Sequence, residues 1–154
     1  MLIVYATKYG STKKYAHLLG DKLDAHVDYL NLIDGIDADL SPFDTVIIGG
    51  PIYLGRVLKE ITIFCDEHLE VLKNKRLGLF ICGMQKEDVI EDELRSSFPP
   101  ELIRHAKVTA HFGGEFRFED MSFFDKTITK KIAKITSAFS PILKWKPLTH
   151  LHGH

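Results

Sequence analysis

The sequence predicts an α/β domain built on a doubly wound parallel sheet, and three observations carry that expectation. Short apolar, β-rich runs alternate with longer segments of helical period, the pattern of successive βαβ units. Two of the runs, Val46-Ile47-Ile48 and Leu79-Phe80-Ile81, are apolar without interruption, as strands are when helices cover both faces of their sheet. The chain has 154 residues, 45% of them hydrophobic, which suits one ordinary domain with a sizeable core.

Five strands are expected, over Leu2 to Ala6, His26 to Leu32, Thr45 to Gly49, Arg76 to Cys82 and Ala106 to Phe112. Between the first two, Tyr15, Ala16, Leu18, Leu19 and Leu23 fall on one stripe of a helix over Thr12 to Ala25, with Ser11 or Thr12 as its natural cap. A second helix over Val57 to Leu72 turns Leu58, Ile61, Cys65, Leu69 and Leu72 inward, and further helices are expected over Asp88 to Phe98 and Phe123 to Phe139. Asp34 to Phe43, rich in Asp and Gly and closing on Ser41-Pro42, reads as a loop or one broken turn. No repeat or linker divides the chain, so residues 1–140 are expected to form one domain and 141–154 a tail. In sheets of this kind ligands bind beyond the carboxyl ends of the strands, where the strand order reverses. The loops after the first, third and fourth strands therefore matter most.

Composition narrows the function classes. Lys and Arg number 20 against 21 Asp and Glu, a balance that suggests neither a nucleic-acid binder nor a disordered tail. Cys65 and Cys82 form no CxxC pair and no zinc spacing, so a disulfide framework is not expected and a reducing cytoplasm fits. No basic leader precedes the first apolar run and no stretch reaches the length of a membrane span.

The first of the three loops is Thr7-Lys8-Tyr9-Gly10-Ser11-Thr12. Its hydroxyls, its glycine and the free N–H groups of a helix N-terminus make a phosphate cradle; a well-capped strand-to-helix turn would use the same residues. Neither GxxxxGK[ST] nor GxGxxG occurs, which removes an NTPase loop and a dinucleotide fingerprint. A phospho-receiver domain needs acids after the first strand and an Asp ending the third, where this chain has Ala6-Thr7 and Gly49-Gly50. The second loop, Gly49-Gly50-Pro51-Ile52-Tyr53-Leu54-Gly55-Arg56, lets backbone approach a flat ligand while Ile52 or Tyr53 packs on a ring face; it also reads as a Gly-Pro turn. The third, Cys82-Gly83-Met84-Gln85-Lys86, offers backbone amides and polarizable sulfur but no aromatic.

TxxGxT after the first strand, together with GxPIYxG after the third, resembles the flavodoxin family. Gly50 to Gly55, the Phe64 helix, and Phe112-Gly113-Gly114-Glu115-Phe116-Arg117-Phe118 through Ser122-Phe123-Phe124-Asp125-Lys126 resemble the branch that includes menaquinone-dependent protoporphyrinogen oxidase. The resemblance implies a flavodoxin-like, three-layer, five-stranded parallel sheet of order 2-1-3-4-5 that binds FMN. It implies that Thr7, Lys8, Tyr9, Gly10, Ser11 and Thr12 hold the phosphate. Pro51, Ile52, Tyr53, Leu54 and Gly55, with Cys82, Gly83, Met84 and Gln85, would flank the isoalloxazine ring. No side-chain acid or base is implied as catalytic, because the cofactor carries the redox chemistry. The third loop departs from flavodoxin carriers in lacking an aromatic, and no long insertion like that of the oxidase is found.

Redox partners follow from the same resemblance: a partner protein or a quinone, with a porphyrinogen as substrate. Residues 1–115 hold 13 basic and 18 acidic side chains, whereas 116–154 hold 7 basic and 3 acidic. The basic end, with Arg117, Lys126, Lys130, Lys131, Lys134, Lys144 and Lys146 among aromatics, suits an anionic membrane surface or an acidic substrate, and equally a solvated amphipathic helix. The expected location is cytoplasmic, with peripheral contact at the inner face of the membrane. Glu87, Asp88, Glu91, Asp92 and Glu93 read either as a docking patch or as acids favoured at a helix start. His105 and His111 are expected to be packed or hydrogen-bonded, and His150, His152 and His154 to belong to a solvated tail. A flavodoxin fold that has lost its cofactor and acts through protein contacts is the alternative from another class.

Overall fold

The computed structural model describes residues 1–7, 10–23, 26–35, 38–53, 55–83, 87–113 and 130–139. Five parallel strands form its centre: β1 (Leu2–Tyr5), β2 (Asp28–Asn31), β3 (Thr45–Tyr53), β5 (Arg76–Cys82) and β6 (Val108–Phe112), in the order β2-β1-β3-β5-β6. The remaining strand, β4 (Arg56–Val57), pairs antiparallel with the end of β3. Without that short strand the order is the expected 2-1-3-4-5. Chain order reverses at β1, whose neighbours are β2 on one side and β3 on the other.

Continuous apolar strands imply burial on both faces, and two core clusters lie on the two sides of the sheet. On one side Val4, Val46, Ile48, Leu79 and Ile81 meet Ile61, Phe64 and Cys65 of α2 (Lys59–Glu67), Leu72 of α3 (Leu69–Leu72) and Leu102 of α5 (Pro100–His105). On the other, Ile3, Tyr5, Ile47, Phe80 and Cys82 meet Tyr15, Ala16 and Leu19 of α1 (Ser11–Lys22), and Ile132, Ile135 and Phe139 of the helical residues 130–139. Alternate residues of each strand thus serve alternate helix layers.

Local structure departs from the sequence reading in five places. The helix predicted over Val57 to Leu72 is two helices, interrupted at His68, whose ring Nδ1 and backbone amide both lie 3.0 Å from the Phe64 carbonyl. Beyond α4 (Glu87–Ser97), the short α5 starts with Pro100 at its first position, where a missing N–H costs nothing. The second strand is shorter than predicted, and a single 3₁₀ turn, Leu32–Asp34, follows it with the Asn31 side chain accepting from the Ile33 amide. The cap of α1 is Gly10, with no side chain capping the helix, in place of the expected Ser11 or Thr12. Finally, β3 runs on through Gly50, Pro51, Ile52 and Tyr53, which were expected to be loop. Proline is accommodated there because β1 ends at Tyr5, opposite Gly49, and leaves β3 a parallel neighbour on one side only. Of the helix predicted over Phe123 to Phe139, residues 130–139 are described and helical; the tail 141–154, with its three histidines, lies outside the described residues.

Candidate cofactor site

Register brings the three expected loops to one edge. Tyr5 of β1 pairs with Gly49 of β3, Pro51 pairs with Cys82 of β5, and Cys82 pairs with Phe112 of β6. The chain after β1, Pro51 of β3 and Gly83 after β5 therefore come side by side, next to the reversal of strand order where such sheets bind ligands.

The first loop is shaped by its own polar groups. Thr7, half-buried, accepts a hydrogen bond from the Gly10 amide at 2.8 Å. Gly10 has φ +91°, a left-handed conformation that a side chain makes costly. The amide of Lys14 bonds back to the Gly10 carbonyl at 3.1 Å and starts α1. Because no side chain caps the helix and its first turn holds no acid, the opening amides face the loop as donors at the positive end of the helix dipole.

Thr12, in that first turn, is fully buried, yet its hydroxyl has no hydrogen-bond partner of good geometry. The thiol of Cys82 acts with it, a weak partner. Burial pushes the Cys82 thiol up to about 12, against the pull of the Thr12 hydroxyl and the Lys131 ammonium. At neutral pH it is a protonated core group with no thiolate reactivity.

The second loop is a hairpin. Ile52 pairs with Val57 and Tyr53 with Arg56, and the chain turns at Gly55. Ile52 is buried in the core while Tyr53 is 36% exposed at the rim, so one side chain anchors the hairpin and the other is displayed. Glu93 of α4 stands behind the turn, its Oε2 3.9 Å from where a Gly55 Cβ would lie.

The third loop is pinned at its start. The Gly83 amide donates to the Phe112 carbonyl at 2.9 Å, and His111 Nε2 donates to the Gly83 carbonyl at 2.7 Å. Across α1, the Tyr15 hydroxyl donates to the Gly113 carbonyl at 2.6 Å while its ring stacks on Phe112, centroids 4.7 Å apart. Of the expected site residues, Thr7, Gly10, Ser11 and Thr12 meet Pro51, Ile52, Tyr53, Gly55, Cys82 and Gly83 along this edge. Lys8, Tyr9, Leu54, Met84 and Gln85 lie outside the described residues, as do the side chain of Ser11 and the segment 114–129. Sequence reasoning did not single out Tyr15 and His111 as supports of the site. The apolar stripe placed Tyr15, but nothing in the sequence signalled where its hydroxyl would end.

The architecture has solved counterparts. Flavodoxin 2 from Bacillus cereus superposes with a TM-score of 0.59 at 21% identity, covering 91% of this chain and 97% of its own. A flavodoxin from Fusobacterium nucleatum, solved bound to flavin mononucleotide, gives 0.52 at 14% identity over 90% and 92% of the two chains. The flavodiiron core from Synechocystis sp. PCC6803 gives 0.61 at 19% identity; it covers 93% of this chain, which spans only 36% of that protein. No curated protein matches the chain by sequence. At these identities the superpositions speak for the fold. The sequence itself answers to the flavodoxin domain over residues 2–141, a range that takes in every strand and each of the three loops, and the chain therefore belongs to the flavodoxin domain family.

Proposed function

We propose that the chain binds one FMN non-covalently at this edge and works as an oxidoreductase or electron-transfer protein of flavodoxin type. The observation that carries the reading is the buried Thr12 hydroxyl without a good partner, set in the uncapped first turn of α1. Buried hydroxyls are ordinarily paired, and an unpaired one set among the free amides of a helix start fits a phosphate dianion. Thr7 to Thr12 would hold the phosphate; Pro51 to Gly55 and Cys82 to Gln85 would flank the ring. FMN, when bound, supplies hydride and one-electron chemistry. The protein's part is to bind and orient: the first loop takes the phosphate, the anchored hairpin presents Tyr53 at the rim, and the third loop, pinned at Gly83, would flank the ring.

Titration of the apoprotein with FMN and riboflavin tests this. FMN is expected to bind tightly and riboflavin more weakly, and absence of FMN binding at tens of micromolar would overturn the reading in favour of a cofactor-free interaction protein.

For the partner, we propose a redox protein or a quinone, with oxidation of a porphyrinogen as the fuller reading. Supporting it are the sequence resemblance over Phe112 to Lys126 and the excess of basic residues after 115. The same excess supports peripheral contact with an anionic membrane of a protein whose described helices include none long and apolar enough to cross one. The FMN-loaded protein should then be reoxidised by a menaquinone analogue, oxidise a porphyrinogen and bind anionic liposomes in a salt-sensitive way. Exchange only with a reductase or ferredoxin, with none of these activities, would leave a flavodoxin carrier.

A further inference from the structure

We infer that Lys131, delivered by the last described helix, adds a cation to the phosphate cradle and offsets charge of the dianion held there. The inference rests on the FMN reading of that site and adds to it a residue from a separate part of the chain.

Helix direction comes first. The Phe139 ring lies over Gly78, 3.3 Å from where a Cβ would be, toward the beginning of β5. Ile132 and Ile135 pack in the same cluster as Cys82, Tyr15 and Phe112. Eight helical residues from 139 back to 131 rise about 12 Å, and the four strand residues from Gly78 to Cys82 about 13 Å. The helix thus runs antiparallel to β5, and its residue 131 arrives level with Cys82 at the carboxyl edge.

The neighbours at that level agree. The Lys131 charge acts on the Cys82 sulfur, and so does the Thr12 hydroxyl; a buried core atom thus has the cradle on one hand and the ammonium on the other. Lys131 is half-buried, whereas Lys130 and Lys134 beside it are exposed and Lys134 donates to the Thr109 carbonyl of β6. Among the described residues Lys131 has no carboxylate partner, and α1 carries no acid in its first turn to compete for it. Lys13 and Lys14, although on α1 itself, are exposed. An ammonium brought to the same edge as an unpaired buried hydroxyl and the free amides of a helix start is stabilised by an anion bound between them.

The test compares Lys131→Gln, Lys131→Arg and Lys130→Gln with the parent. Lys131→Gln should weaken FMN about tenfold or more and leave riboflavin unchanged; it should also raise the pH at which the phosphorus resonance of bound FMN titrates. Lys131→Arg should retain affinity, and Lys130→Gln should match the parent. Equal FMN affinity and an unmoved phosphorus titration in Lys131→Gln would overturn the inference while leaving FMN binding intact. If the parent fails to bind FMN, inorganic phosphate in thermal melts of the apoproteins decides: stabilisation of the parent but not of Lys131→Gln supports the cation, and equal or no stabilisation overturns it.

Discussion

Replacing Thr12 by Val should have opposite effects on the empty protein and on its complex with FMN. The change swaps a buried hydroxyl for a methyl of nearly the same shape, so the volume filled at this buried position is kept. In the apoprotein the hydroxyl is fully buried and lacks a good partner, an arrangement that costs about 1–3 kcal/mol. The Cys82 thiol offsets part of this, so the variant should gain on the order of 1 kcal/mol, which for a chain of this size raises Tm by about 2–4 °C. In the complex the same hydroxyl would donate to a charged phosphate, a bond worth about 1.5–3 kcal/mol, and its loss should weaken FMN about 10- to 150-fold. Riboflavin, which has no phosphate, should bind parent and variant alike. Calorimetric melts of the two apoproteins and fluorescence titrations with both flavins measure all three quantities. A lower apoprotein Tm, or equal weakening of FMN and riboflavin, would refute the reasoning and make Thr12 a fold residue.

Gly49→Ala should destabilise severely, because its Cβ would fall 2.1–2.3 Å from three atoms of the fully buried Phe80 ring between paired strands; urea unfolding should show a loss of about 1–3 kcal/mol or more. Tyr15→Phe removes the bond to the Gly113 carbonyl but leaves the stack on Phe112, so a loss of about 0.5–1.5 kcal/mol is expected in the same assay. Alkaline pH should also destabilise. Burial raises both Cys65 and Cys82 from 9.0 to about 12, and from about pH 9 upward the unfolded chain releases protons that the native state retains. Stability should be constant below pH 9 on this account and fall towards pH 12 by up to about 1.4 kcal/mol per pH unit for each thiol. Cys65→Ala should halve that slope, whatever it does to stability at neutral pH, and an unchanged slope would remove Cys65 as its source.

Sequence alone determined the class of fold, since periodicity is a local property: uninterrupted apolar runs such as Val46-Ile47-Ile48 can only be buried on both faces, and the stripe through Tyr15, Ala16 and Leu19 can only face inward. It also pointed to three loops, because hydroxyls, glycines and an aromatic stood at three strand ends, and the register of the strands brings those ends to one edge. What it did not determine were choices made between distant segments. Gly10 displaced Ser11 and Thr12 as the cap because Thr7 had already taken up the Gly10 amide and Thr12 turned into the core. Pro51 stayed in a strand because β1 stopped short beside it. Tyr15 and His111 became supports of the third and last loops only when β5, β6 and α1 were brought into register. Lys131, one basic residue among several in its segment, was distinguished by an antiparallel helix whose length matches that of a strand. A hydrogen bond or a charge pair depends on a meeting across the sheet, and residue order alone does not specify that distance.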